Sequence, residues 1–255
     1  MSELGVSSPL FKLDDVFEVD DYLYFYSESL TDERTDAEIT ALVNLLELQA
    51  PVRILDLACG YGRHANRLAA LGHQMTGVDL MPGFLEIARM NAAARGVQVD
   101  YRQGDMRQIN FVEEFDRVMI LFSAFGYFED EENLLVLKRV AQALKPGGLF
   151  IMDSPNRDTF LRNFLPFVVT EKGSDLMIDR LSLDSLNGRW LNRRIIIRNG
   201  VRKDKPFSIR VYNATELRLL IAQTGLEVYR MYGGWDGAPV TGEARRLVVV
   251  AKKPV

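Results

Sequence analysis

The sequence predicts an α/β fold: a doubly wound, mostly parallel sheet of seven strands, with an antiparallel strand at the C-terminus and a β-rich insertion after the fifth strand. Three observations predict it. Apolar runs of strand length alternate with helix-period segments from residue 52 to residue 153. A glycine turn follows the first of these runs. The last two runs, 226–232 and 246–251, are separated by a GGWDG loop with no crossover helix, so they should pair antiparallel.

In chain order, residues 31–48 read as a helix. Thr31 or Asp32 can cap it, acids fill its first turn, and Ile39, Leu42, Val43 and Leu46 form an apolar stripe. Pro51 ends it. VRILDLA (52–58) is a buried strand running into the turn CGYG. Residues 63–71 are helical through Ala65, Leu68 and Ala69, closed by Gly72. QMTGVD (74–79) is a second strand, and 82–95 a helix entered at Pro82 and stopped by Gly96. VQVDYRQ (97–103) alternates as a strand does. FDRVMILF (115–122) is a buried strand, 130–144 a helix stopped by KPGG, and LFIMD (149–153) the fifth strand. Residues 160–212 lack a clean helix. Their alternating runs RRIIIRN and FSIRVY, with LNG and RNG turns, predict an antiparallel insertion of about three strands. A helix over 214–224, capped near Thr215 and stopped by Gly225, precedes the final strand pair.

Of 255 residues, 47% are hydrophobic and 26% charged, which excludes a disordered chain, a collagen-like chain and a disulfide scaffold. One large domain with an insertion fits this length. The single Cys59 cannot form an internal disulfide and points to a reducing, cytoplasmic compartment. No run approaches the ~18 apolar residues of a membrane span, and the N-terminus, MSELGVSSPLFKLDD, does not read as a signal peptide. The net charge of −4 favours neither nucleic acid nor anionic membrane. Charge is unevenly placed, however. Residues 1–40 hold eleven acids against Lys12 and Arg34, and residues 189–205 hold seven Lys/Arg against Asp204 alone. These two segments are expected to meet, within one subunit or across a homodimer, and to close the site.

Chemistry concentrates at the carboxyl ends of the predicted strands, where ligands bind in open α/β sheets. Gly60 and Gly62 remove Cβ atoms where backbone must approach a ligand closely. Asp79 closes the second strand, nineteen residues after Gly60, where an acid can accept both ribose hydroxyls. Gly60-x-Gly62-x-x-Ala65 also satisfies a relaxed dinucleotide fingerprint. Asp56 moves the balance away from it, since a carboxylate there repels a pyrophosphate and suits an ammonium. Asp105 after the third strand, and the antiparallel final pair, point the same way.

ILDLACGYGRHA, GVDL, QGDMRQI, FDRVMILFSAFGYF and LKPGGLFIMDS, in this order and spacing, resemble the class I S-adenosylmethionine (SAM)-dependent methyltransferase family, whose sheet is Rossmann-like. The resemblance covers residues 51–155 and 214–251. Ala58 stands where the family has its first glycine. The resemblance implies SAM as cofactor. It places Ala58, Gly60 and Gly62 along the methionine part, Asp56 on the ammonium, Asp79 on the ribose, and Leu80 and Met81 against the adenine. Asp105 would accept from the adenine amino group with Met106 beside it. Phe122 and Ser123 would lie under the sulfonium. DYLYFYSESLTDERT further resembles a bacterial small-molecule subgroup, which implies Tyr26 and Arg63 at the amino-acid end of SAM. The organisation so implied is an N-terminal helical cap over the cofactor site (1–50), a SAM-binding domain (51–156 and 213–255), and a β insertion (157–212) that lids the pocket.

Two residues are candidates for a helper base. His64, on the first helical turn, could serve the substrate side or only satisfy a helix terminus. Asp153, ending a central strand, could face the cleft or only orient the Ser154–Pro155 turn. His73, after Gly72, should be solvated in a surface turn. Two histidines and one cysteine make no metal set. Among the aromatics near the site, Tyr22 and Tyr127, with Ser123, are the substrate-side candidates, since an aromatic wall suits a sulfonium. The expected function is methyl transfer to a small molecule by direct in-line attack. The alternatives are an RNA or protein methyltransferase that uses the basic insertion, and a nicotinamide-dependent oxidoreductase. The overall acidity argues against nucleic acid, and the basic run reads rather as the solvent face of a hairpin, because its charges alternate with Ile195 to Ile197.

Overall fold

The computed structural model describes residues 13–255, so most of the N-terminal stretch read for a leader lies outside the described residues. In chain order the elements are α1 (Leu13–Val16), α2 (Val19–Tyr26), α3 (Asp32–Leu45), β1 (Arg53–Leu57), α4 (Ala65–Ala70), β2 (Gln74–Asp79), α5 (Pro82–Ala94), β3 (Asp100–Gln103), β4 (Phe115–Ile120), α6 (Asp130–Ala143), β5 (Leu144–Pro155), α7 (Arg157–Arg162), β6 (Phe167–Lys172), β7 (Asp175–Asp184), β8 (Arg189–Arg198), β9 (Val201–Arg210), α8 (Ala214–Ala222), β10 (Glu227–Tyr232) and β11 (Arg246–Lys252). They form two units. The larger holds Leu30–Asn163 and Val211–Val255; the smaller joins the segment up to Ser29 to Phe164–Arg210. The N-terminal segment read as one cap over 1–50 therefore divides, with α3 in the larger unit.

The larger unit carries a seven-stranded sheet in the order β10-β11-β5-β4-β1-β2-β3. β1 to β5 are parallel, and β11 runs antiparallel between β5 and β10. Both faces are buried, and strand alternation divides the core between them. Leu55, Leu57, Val118, Ile120, Phe150, Met152, Leu247 and Val249 pack into one cluster with residues of α6 and α8. Ile54, Met119, Ile151, Val248 and Val250 pack into the other with residues of α3, α4 and α5. The Thr31 side chain caps α3 by accepting from the Arg34 amide at 3.2 Å. Asn213, rather than Thr215, caps α8 in a reciprocal box with Glu216, because the helix begins at Ala214, as read, and Thr215 already lies within its first turn. β5 runs on to Pro155, so no turn lies at Ser154–Pro155.

The smaller unit contains a four-stranded antiparallel sheet, β6-β7-β8-β9, rather than about three strands. Phe167, Val168 and Val169 on β6 are all exposed, so this edge strand lacks the alternation that marks the others. α2 belongs to the same unit, and here the acidic and basic segments meet. Glu18 accepts from Lys203 and Lys205, both at 2.6 Å. Asp21, fully buried, accepts from Arg198 at 3.0 Å and Lys203 at 2.9 Å. The basic run is thus largely occupied within its own subunit and is not simply the solvent face of a hairpin. No described helix is long and apolar enough to cross a membrane.

Candidate active site

Asp56, at the carboxyl end of β1, is 2% exposed, and its Oδ2 is buried with no hydrogen-bond partner. Burial, with the charge of Asp79 nearby, pushes its pKa well up. The chain then turns through Ala58 (φ 57°), Gly60 (φ 54°) and Gly62 (φ 77°), a left-handed series that an L side chain tolerates poorly. Asp79 ties this turn to the end of β2. Its Oδ2 accepts the Gly60 amide at 2.7 Å and its Oδ1 the Met81 amide at 2.9 Å. Met81 precedes α5, and Leu80 and Met81 are half-buried beside this carboxylate. Burial raises the pKa of Asp79.

The two glycines do different things. A Cβ on Gly60 would meet nothing within 4 Å, whereas one on Gly62 would lie 2.1 Å from the Tyr101 hydroxyl. Gly62 therefore makes room for Tyr101 of β3. Tyr101 donates to Asn66 Oδ1 at 2.8 Å, which fixes the start of α4. Cys59 is buried beside Gly77 and Tyr101, and its thiol pKa is raised by burial with Asp56 and Asp79 near.

After β3, Asp105 is held by Arg107, whose Nε donates to Oδ1 and Oδ2 at 3.1 and 3.0 Å and whose Nη2 donates to Oδ2 at 2.6 Å. Burial works to raise the pKa of Asp105, and these bonds outweigh it. Arg107 also lies 4.1 Å over the Phe128 ring, and Met106 is half-buried next to it.

After β4, Phe122 and Ser123 both have left-handed backbones, at φ 59° and 60°. Asp153 of β5 accepts the Phe122 amide at 2.5 Å and pairs with Arg246 at the start of β11. The same guanidinium donates to Ser123 Oγ at 2.9 Å. Both Asp153 oxygens are engaged, so this carboxylate holds the Phe122–Ser123 backbone and does not present itself as an unencumbered base. Tyr127 is half-buried in the same loop. Arg34 and Arg63 lie 5.5 and 5.3 Å from the centre of the Phe122 ring.

His64 is buried, and its Nε2 lies 2.9 Å from Glu38 of α3. It makes no cap bond to α4. Glu38 also pairs with Arg63 and accepts from Arg34 at 3.0 Å. Burial works against this carboxylate's charge, but His64 and Arg63 hold its pKa down at about 2. Burial pushes His64 down to about 4, which leaves a neutral ring near pH 7. His73 is not solvated: it is 7% exposed and accepts from the Val52 amide at 3.4 Å, next to the start of β1.

Tyr22 and Tyr26 lie on α2 in the smaller unit. Their rings stack at 4.6 Å, and the Tyr26 hydroxyl accepts from Arg194, which is paired with Asp179. Sequence reasoning missed Arg34, Glu38 and Arg246. The i, i+4 spacing of Arg34 and Glu38 was a visible signal; Arg246 had none beyond its place before an apolar run.

A cofactor with an ammonium fits this turn: the unpartnered Asp56 oxygen needs a donor, and a cation there would favour its charged form. Residues 54–148 match the family model described as a methyltransferase domain. The chain is 29% identical over 205 residues to the cypemycin N-terminal methyltransferase of a Streptomyces species, covering 78% of this chain and 82% of that one. It is 35% identical over 106 residues to the ubiquinone biosynthesis O-methyltransferase of Azorhizobium caulinodans, covering 42% of this chain and 41% of that one. Its fold is similar to that of the CcbJ methyltransferase from Streptomyces caelestis, with a TM-score of 0.79, 22% identity, and coverage of 94% and 98% of the two chains. With the sheet order and the turn after β1 in agreement with the domain match over residues 54–148, this chain carries a SAM-dependent methyltransferase domain and uses SAM as its cofactor.

Proposed function

We propose that the protein transfers a methyl group directly to a small-molecule nucleophile, in line with the breaking S–CH₃ bond. The observation that carries the placement of the cofactor is the buried, unpartnered Asp56 oxygen at the mouth of β1. In this reading Asp56 receives the ammonium. Ala58 and Gly60 follow the methionine chain, and Arg63 takes the carboxylate. Asp79 keeps lone pairs beyond those used by Gly60 and Met81, and these accept the ribose hydroxyls. Leu80, Met81 and Met106 border the adenine, and Asp105 accepts from its amino group. Phe122 and Ser123 border the point of transfer.

Bound SAM supplies a methyl group already made electrophilic by the sulfonium. What the chain must add is alignment, which can contribute roughly 7–11 kcal/mol. The Phe122–Ser123 backbone, fixed by Asp153, is suited to that task. His64 and Asp153 act as positioning residues: one holds Glu38 and the other holds Phe122 and Arg246. One relative is an O-methyltransferase of ubiquinone biosynthesis and another the cypemycin N-terminal methyltransferase, which supports an oxygen or nitrogen acceptor.

The test is incubation with methyl-labelled SAM against separated metabolite, RNA and protein pools. Label should enter a small-molecule fraction. Label confined to RNA or protein would overturn the reading, as would SAM binding without transfer to any pool. By calorimetry, Asp79→Asn should weaken SAM by about 1–3 kcal/mol, as charge-assisted bonds are lost.

A further inference from the structure

Arg63 spends one of its nitrogens on α3. Its Nη1 donates to Glu38 Oε2 and, at 3.2 Å, to Thr35 Oγ1, so both protons of that nitrogen are engaged. Thr35 and Glu38 are three residues apart and share one face of the helix. Nε and Nη2 of Arg63 meet no acceptor among the described residues, and neither atom is sealed from solvent, although the side chain is only 8% exposed. What remains is the Nε–Nη2 edge, whose two parallel N–H groups match the two oxygens of a carboxylate. All of these groups lie within the larger unit.

α3 is a stiff holder for this arginine. Arg67, one helical turn further on, donates to Asp32 and, at 2.6 Å, to Asp36, which fastens α3 to α4. Glu38 is fixed in its turn by His64, whose neutral ring donates from Nε2 to the same Oε2 at 2.9 Å. Its other oxygen accepts from Arg34 at 3.0 Å. Glu38 remains charged near neutral pH, since its pKa is held at about 2. An arginine collected into one rotamer beforehand loses less freedom when a ligand arrives, and binds it more tightly for that reason.

Resting on the reading that Arg63 takes the carboxylate of SAM, we propose that Glu38, seconded by Thr35, is the positioning residue for that contact: α3 grips one nitrogen of Arg63 and so presents its Nε–Nη2 edge to the cofactor. Recognition of the amino-acid end then depends on a helix that lies outside residues 54–148, the stretch that matches the methyltransferase domain. The nucleoside end, assigned to the loops after β2 and β3, does not need it.

The experiment is calorimetric titration with S-adenosylhomocysteine and with its decarboxylated analogue, which keeps the nucleoside, the sulfur and the amine and lacks only the carboxylate. Wild type should prefer S-adenosylhomocysteine by about tenfold or more, the range of a charge-assisted pair. Glu38→Gln offers one acceptor oxygen to three donors and should lose most of that preference. Thr35→Val removes a neutral acceptor and should lose roughly threefold of it. Both variants should bind the decarboxylated analogue within about threefold of wild type, which a general loosening of α3 would not allow. Arg63→Met should abolish the preference, and adding Glu38→Gln to it should cost nothing further. An unchanged preference in both α3 variants, or equal loss of the two ligands, would overturn the proposal; if Glu38→Gln does not fold, Thr35→Val decides alone. If Arg63→Met keeps the preference, the assignment of Arg63 to the carboxylate falls and the proposal with it. If Arg63→Met removes the preference while the α3 variants keep it, only the positioning role is lost.

Discussion

Asp153 reaches from β5 to the chain leaving β4 and accepts the Phe122 amide at 2.5 Å, while its other oxygen pairs with Arg246. Phe122 and Ser123 are both left-handed, a conformation that costs on the order of 1 kcal/mol or more per non-glycine residue. One carboxylate thus holds a strained dipeptide and neutralises a half-buried arginine. Asp153→Ala should cost about 3–5 kcal/mol, since an arginine and an amide lose their partner together. Asp153→Asn keeps an acceptor for the amide and should cost less than the alanine variant. Urea denaturation of the two variants decides this; equal losses would mean that the bond to the amide plays no part and the charge carries the whole effect.

Gly60 and Gly62 should respond differently to alanine. At Gly62 the new Cβ would fall 2.1 Å from the Tyr101 hydroxyl, so β3 or α4 must shift. Overpacking of this kind typically costs about 1–3 kcal/mol, added to the strain at φ 77°. At Gly60 there is open space, and only the backbone strain remains. Thermal denaturation should show the larger loss for Gly62→Ala. SAM affinity should show the larger loss for Gly60→Ala, whose methyl enters the proposed binding turn.

The sequence made the alternation of strands and helices legible because a sheet buried on both faces leaves uninterrupted apolar runs such as those at 115–122 and 246–251. Asp56, Gly60 and Asp79 were legible because strand ends and turns fix their spacing locally. The cluster of Arg34, Glu38, Arg63, His64 and Arg246 was not. Its members come from three stretches of chain, and their surroundings depend on how α3 and β11 pack. The purpose of Gly62 was hidden for a similar reason: the atom that needs its space belongs to Tyr101, thirty-nine residues away. β6 was missed because its exposed apolar residues break the two-residue period.

Acid should destabilise the larger unit through Glu38 and His64. Glu38 has its folded pKa lowered to about 2, so its contribution is present above its ordinary 4.5 and is lost as pH falls toward 2. His64 is lowered from 6.5 to about 4 by burial. The unfolded chain therefore binds its proton first, and the contribution of neutral His64 is complete above 6.5 and lost as pH falls through 4. Between pH 7 and 5, His64→Gln should lose less stability than wild type, measured as the shift in urea midpoint. Parallel curves for the two proteins would show that His64 does not carry this dependence.

In the smaller unit, Asp21 is 2% exposed and faces Arg198 and Lys203. Burial opposes its charge, and these cations still hold its pKa below the usual range. Buried pairs are screened less than exposed ones, so salt alone should loosen α2 only slightly. Asp21→Ala should release it, exposing residues 19–29 to limited proteolysis at salt concentrations that leave wild type intact. Equal cleavage of both proteins would show that Asp21 does not anchor the helix.

The pairing of Asp21 with Lys203 also bears on biogenesis. The two residues are separated by 182 positions. At roughly 5–20 residues per second, a ribosome needs on the order of 10–40 s to synthesise that interval. During this time α2 has left the exit tunnel and its partners on β8 and β9 do not yet exist. A nascent chain of this design carries an orphaned acidic, tyrosine-rich leader through most of its synthesis, and the smaller unit becomes complete only when β9 has been translated. Premature termination before residue 201 would leave the segment without Lys203 and Lys205, and therefore without the counter-charges of Glu18.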